Sequence, residues 1–258
     1  MRAGSTVRGT TVTTRDDQPV RLTREDIRSG RIQRMIAAAD PDLRLMSEAE
    51  ITASLDRVLG APRVPREIWV FGYGSLIWNP AFEFVERRIG QIHGFHRRFC
   101  LWTHLGRGSP AAPGLMLGLL PGGSCRGVAY RVADAAVRSE LEILWRREMI
   151  GGSYLPRWIP VQTPDGPVRA IAFAVNRANP RYAGRLTETA VAAAIAQAAG
   201  RLGPCADYLF ETVAHLAALG IHDRRLERLR ELVMLRRPPA APRDPIPERT
   251  QGSLAPEK

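Results

Sequence analysis

Short apolar or alternating runs, each broken by Gly or Pro, follow one another across residues 69–131: "EIWVFGY", "RIGQIHGF", "RRFCLW", "LMLGLL" and "CRGVAYRV". This is strand texture. Only then does a helical pattern begin, with Asp134 as the expected N-cap and Val137, Leu141, Leu144 and Trp145 at helical spacing. "GG" at 151–152 is the expected stop. Two further strands are expected near 157–163 and 168–175, joined by the turn "TPDGP", and three helices starting near Thr187, Pro204 and His222 close the fold. A run of strands, one helix, more strands and a helical finish excludes a doubly wound parallel sheet, which needs a helix after nearly every strand. The expected class is α+β, with a mixed or barrel-like sheet flanked by helices.

The flanks have a different texture. Residues 1–20 are polar and expected to be disordered. Two short helices are expected in 21–66, one starting near Thr23 and one at Ser47, where "SEAE" has the form of a capping box. "GAPRVPRE" (60–67) reads as a linker into a main domain over 67–235, and the Pro-rich tail 236–258 is expected to be unstructured.

Charge narrows the function classes. The formal net charge is +11, but Lys258 is the only lysine and the arginines are scattered through every segment. A nucleic-acid surface would cluster them on one face among aromatics, so no such partner is expected. Cys100, Cys125 and Cys205 are odd in number and widely spaced, which fits a reducing compartment rather than a disulfide scaffold. No apolar run has the length of a membrane span, and "MRAGSTVRGTTVTTRDD" lacks the apolar region of a secretory signal. The expected location is cytoplasmic.

Two stretches carry chemistry. In "WVFGYGSLIW" (69–78) a strand gives way at Phe71 to Gly72, Tyr73, Gly74 and Ser75. A dinucleotide fingerprint is excluded because Ile77 stands where its third Gly belongs. A phosphate-binding loop is excluded by the missing lysine, and a nucleophile elbow by the residues flanking Ser75. Two readings stay open: a glycine-permitted bend in a sheet, or a loop whose N–H groups converge on an oxyanion or carboxylate. In the second reading Tyr73 and Ser75 add hydroxyls.

The other stretch is "LWRREMIGGSY" (144–154), which puts Glu148 in the last turn of the central helix. A carboxylate there faces the negative end of the helix dipole, which raises its pKa and suits it to acid/base work. The alternative is a surface ion pair with a neighbouring arginine. His93 and His96 would point to opposite faces of a strand and lack a third ligand, so no metal is expected. Asp207 and Glu211 read as a solvated helix face, and Tyr208 as core or site lining.

Taken in order, "WVFGYGSLIWNPAFEF", "GVAYR", "LWRREMIGGSYLP", "NPRYAG" and "DYLFETVAHLAALGI" resemble the ChaC family of γ-glutamylcyclotransferases, most of all its bacterial branch, once labelled cation-transport regulators. The similarity spans about residues 67–235. It implies a barrel-like fold flanked by helices, and cleavage of glutathione to 5-oxoproline and Cys-Gly without metal or cofactor. The loop it matches to substrate binding is Val70, Phe71, Gly72, Tyr73, Gly74, Ser75 and Leu76, and the glutamate it matches to the catalytic base is Glu148. Arg98 in "HRRF" and Tyr208 in "DYLF" match recurrent family positions and are expected to line the pocket. Other γ-glutamyl substrates, or a non-catalytic regulator, are the alternatives. The sequence fixes no oligomeric state.

Overall fold

The computed structural model describes residues 22–39 and 43–237. The expected disordered tails, residues 1–20 and the stretch past 237, lie outside them. The fold is α+β. Helices α1 (Arg24–Arg28), α2 (Arg31–Ala39) and α3 (Glu48–Leu59) precede strand β1 (Trp69–Gly72) and a short 3₁₀ turn, Ser75–Ile77. The long strands β2 (Glu86–Thr103) and β3 (Gly114–Arg131) follow, then α4 (Val137–Glu148), β4 (Tyr154–Val161) and β5 (Val168–Val175). Helix α5 (Glu188–Gln197), a two-residue ribbon β6 (Ala199–Gly200) and β7 (Gly203–Pro204), α6 (Cys205–Ala218) and α7 (Arg224–Met234) complete it.

The main sheet runs β2-β3-β1-β5-β4. It is mixed: β1 lies antiparallel to β3 and parallel to β5, while β4 pairs antiparallel with β5. The sheet curls until its two edges meet. Gln91 on β2 and Gln162, just past β4, exchange two N–H···O bonds of 2.8 Å. A Cβ at Gly90 would lie 2.5 Å from the Val161 side chain, so only glycine fits beside this seam. The barrel-like expectation is met by this closure.

β1 is buried along its whole length, as a continuous apolar run in the middle of a sheet should be. Leu141, Leu144 and Trp145 of α4 pack on the same core, with the Trp145 ring edge-on to Phe173 at 5.2 Å. A second, smaller cluster joins Ile27 and Ile32 of the N-terminal helices to Ile143 of α4 and to Ile150 just beyond its end. Arg24 caps this contact with two bonds to Glu140, at 2.5 and 2.7 Å.

Several local expectations are corrected. The single helix expected from Thr23 is two, broken at Gly30, whose φ of +68° ends α1. Ser47 forms both halves of its capping box with Glu50. Asp134 heads a 3₁₀ turn instead of capping α4, which has no side-chain cap. The four runs "RIGQIHGF", "RRFCLW", "LMLGLL" and "CRGVAYRV" form two continuous strands. Their apparent breaks are a bulge, where the register shifts between His93 and Phe95 and where Gly94, Gly122 and Gly123 have positive φ. The cap of the last helix is Asp223, accepting from the N–H groups of Arg225 and Leu226, one residue past the expected His222. Among the described residues no helix is long and apolar enough to cross a membrane.

Candidate active site

Where α4 ends and the β1 loop turns back, Glu148 meets Tyr73, Gly74, Ser75 and Leu76 at the inner end of a cleft, with Tyr154 and Tyr208 beside it. The glycines of the loop serve close approach. Gly74 has a negative φ, −143°, so it is not a left-handed position. A Cβ there would stand 3.0 Å from the Tyr208 hydroxyl, and one at Gly72 would stand 3.1 Å from both Leu76 and the Tyr130 ring. Neither gap admits a side chain without displacement.

Arg97 fixes the orientation of the loop backbone. Its guanidinium donates to the carbonyl of Tyr73 at 2.7 Å and to that of Arg126, while its Nε pairs with Asp223 at 2.9 Å. The Arg97 side chain is only 3% exposed. In a trans peptide the C=O and the next N–H point in opposite directions. Drawing the Tyr73 carbonyl toward Arg97 therefore turns the Gly74 N–H the other way. Ile77 and Asn79 return hydrogen bonds to Gly74 and Ser75, at 2.9 and 2.8 Å, and close the turn.

Arg147 ties the loop to the glutamate. Its guanidinium donates to Ser75 Oγ at 2.8 Å and to the Asn79 carbonyl, and its Nε stands 3.0 Å from the Glu148 carboxylate. The Glu148 side chain retains 14% exposure, all that the cleft allows, against 5% for Arg147. Both readings of this glutamate hold in part: it does pair with a neighbouring arginine, but inside the protein rather than on its surface. Burial raises the Glu148 pKa above the usual carboxylate value, and the Arg147 charge opposes that shift without cancelling it. The expected direction is right, though burial rather than the helix dipole is its leading cause.

Three buried phenols surround the carboxylate. Burial first, and then neighbouring charge including that of Glu148, holds Tyr73, Tyr154 and Tyr208 protonated well above neutral pH. Tyr73 spends its hydroxyl hydrogen on the Phe173 carbonyl and Tyr154 on that of Leu117, both at 2.8 Å. The donor expected from Tyr73 is thus committed to the barrel wall. Burial also pushes the thiols of Cys100, Cys125 and Cys205 up, to about 12, 11 and 11, so none is a thiolate nucleophile at neutral pH.

Of the expected site residues, Tyr73, Gly74, Ser75, Leu76, Glu148 and Tyr208 converge, and Gly72 ends the strand that delivers them. Val70 and Phe71 do not line the cleft: both are fully buried in β1, where their role is core packing. Arg98 does not reach it either. Its guanidinium donates to the Leu186 carbonyl at 2.5 Å, beside a different cavity bounded by α5 and α7. Alternation along a strand explains the miss, since the neighbouring Arg97 faces the loop and Arg98 faces away. Arg147 and Tyr154 lie inside the quoted motif "LWRREMIGGSYLP", but no spacing rule marks them as site residues.

A sequence model of the family described as ChaC-like protein matches residues 68–236. A glutathione-specific γ-glutamylcyclotransferase of Escherichia coli K12 is 40% identical over 209 residues, covering 81% of this chain and 90% of the relative. Glutathione-specific γ-glutamylcyclotransferase 1 of Mus musculus is 34% identical over 176 residues, covering 66% and 79%. Among solved structures, a γ-glutamyl cyclotransferase specific to glutathione from yeast superposes with a TM-score of 0.61 at 24% identity, covering 66% of this chain and 97% of that one. At that identity the likeness concerns the fold.

Proposed function

This chain belongs to the ChaC-like family, and on that premise we propose that it degrades glutathione, with Glu148 as general acid and base. The carrying observation is the position of Glu148: a carboxylate of raised pKa, withdrawn into the cleft, against a loop whose glycines leave little room for a side chain.

The γ-glutamyl group brings its own nucleophile, the α-amine, within ring-closing reach of the γ-carbonyl. Holding the curled conformer supplies the proximity that a side-chain nucleophile would otherwise have to provide. The amine must first lose a proton. An α-ammonium of pKa about 8 facing an ordinary glutamate near 4.3 leaves a gap of almost 4 units, roughly 5 kcal/mol. Burial of Glu148 narrows that gap.

The amine then attacks the γ-carbonyl carbon, and negative charge develops on its oxygen. Backbone N–H groups of the 74–76 turn, oriented by Arg97 and Arg147, are the preorganised donors for that charge. Collapse breaks the γ-amide C–N bond as Glu148 returns its proton to the departing cysteinyl nitrogen. The carboxylate so regenerated takes the second proton from the ring nitrogen and passes it to the freed amine. The new lactam C–N bond replaces the amide bond, no water is consumed, and 5-oxoproline and Cys-Gly leave. The unpaired thiols Cys100, Cys125 and Cys205 support a cytoplasmic setting.

Incubation of the purified protein with glutathione, followed by mass spectrometry for 5-oxoproline and Cys-Gly, tests this reading. Wild type is expected to release both, and Glu148→Gln to turn over about 10²- to 10⁴-fold more slowly while remaining folded. Turnover of γ-glutamyl-alanine alone would keep the chemistry and move the substrate. A folded wild type that converts neither would sink the enzymatic reading.

A further inference from the structure

Outward from Glu148 the cleft continues as a cavity of about 180 Å³. Part of its lining is apolar and comes from the N-terminal helices, through Ile32, Met35 and Ile36; Arg107 also lines it. The N-terminal wall lies outside the stretch matched by the family model. Arg107 belongs to the loop between β2 and β3, and this loop is pinned. Leu105 and Gly106 accept from the N–H groups of Arg201 and Leu202, at 3.0 and 2.8 Å, and Arg107 itself donates to the Pro204 carbonyl at 3.2 Å.

Arg107 differs from Arg147 in the same cleft. Arg147 is committed to Ser75, Asn79 and Glu148. Among the described residues no carboxylate stands within ion-pair distance of Arg107. The nearby acid Asp207 is 3.5 Å from Arg237 instead. A cation held by one neutral carbonyl on a fixed loop is preorganised for an anion that the folded chain does not supply.

Resting on the glutathione reading, we propose that Arg107 receives the terminal carboxylate of the Cys-Gly portion and makes the outer cleft its subsite. Two residues extended span at most about 7 Å, so a substrate whose γ-amide sits at Glu148 presents that carboxylate within the same cleft. The cysteinyl side chain then faces the wall formed by Met35 and Ile36. The incompletely balanced charge of Arg107 agrees with this role, since burial lowers its pKa before neighbouring acids restore part of the shift.

The test compares glutathione with its glycine carboxamide in wild type, Arg107→Gln and Arg107→Lys. Wild type is expected to lose about 10- to 100-fold in kcat/KM on the amide, the scale of one charge-assisted hydrogen bond. Arg107→Gln is expected to lose the same factor on glutathione, chiefly through KM, and to treat both substrates alike; Arg107→Lys should recover part of the preference. A wild type indifferent to the amide overturns the proposal without reference to any variant's folding. So does an Arg107→Gln enzyme that keeps its preference, or an Arg181→Gln variant, at the third arginine lining the cavity, that loses the preference in its place. A wild type that turns over no glutathione fails at the prior step, visible before the amide is added, and removes the proposal with it.

Discussion

Glu148 carries opposite obligations to catalysis and to stability. Its folded pKa lies above its unfolded value because burial penalises the charge. A carboxyl shifted in that direction holds its proton more tightly when folded, so stability falls as pH rises from the ordinary glutamate value through the raised one. On the proposed mechanism activity runs the other way, because a base works only when ionised. The acid limb of kcat/KM should therefore lie above the usual carboxylate range. Glu148→Gln should melt higher than wild type at neutral pH, and lose that advantage below the ordinary glutamate pKa. Equal melting temperatures at both pH values would show that the charge is not buried at a cost. The place of Glu148, at a helix end beside a glycine turn, was legible in "RREM". Its proposed role as base came from the family resemblance, since position alone left a surface ion pair open. Arg147 was not legible: a basic residue in a last helical turn already has a sufficient explanation in the dipole, and its reach to Ser75 and Asn79 exists only in three dimensions.

At the scale of elements, the site depends on β2 and α7 as much as on the strand and helix that bear it. Arg97 on β2 joins the Tyr73 carbonyl to Asp223, the N-cap of α7. Arg97→Gln should lower kcat more than it raises KM, because the loop loses its orientation while the cleft stays. It should also destabilise the fold by about 1–3 kcal/mol, the usual cost of leaving hydrogen-bonding groups unpaired, since the Asp223 charge left behind is only half-buried. Chemical denaturation and steady-state kinetics on the same preparation measure both; a destabilised enzyme with unchanged kcat would separate Arg97 from the loop. The type of the long elements was readable, but the 3₁₀ turn at Asp134 and the short ribbon β6–β7 were not. Nor was continuity. Gly94 and the Gly122–Gly123 pair look like turns in sequence, yet the partner strand bulges at the same place and the ladder carries on. Choosing Arg98 over Arg97 is the same kind of error at its smallest, since one step along a strand changes the face.

The whole molecule adds the N-terminal helices to the barrel domain. They are held by Ile27 and Ile32 against α4, by Asn79 donating to the Leu22 carbonyl at 3.0 Å, and by the Arg24–Glu140 pair. The hydrogen bond from Arg24 leads the causes that depress the Glu140 pKa. The stability this group contributes is present above its unfolded pKa and fades as pH falls through the depressed value. Glu140→Gln should therefore loosen residues 22–39 at neutral pH, seen as earlier proteolytic cleavage there. Wild type should show the same loosening only in acid; identical cleavage at every pH would assign the docking to the apolar cluster alone. That these helices exist was legible from Thr23 and Ser47. That α2 forms one wall of the cleft was not, because no local pattern says which distant surface an amphipathic helix will cover.

The seam between Gln91 and Gln162 bears on where the fold can breathe. A barrel closed along one line by a single two-bond bridge has a weak join there, whereas β2–β3 and β4–β5 are fastened by long ladders. In the order β2-β3-β1-β5-β4 the strand that delivers the catalytic loop is the middle one, two strands from the seam whichever way the circle is followed. Opening at that bridge would part the wall away from the loop and leave the four β1–β3 pairs that hold β1 unbroken.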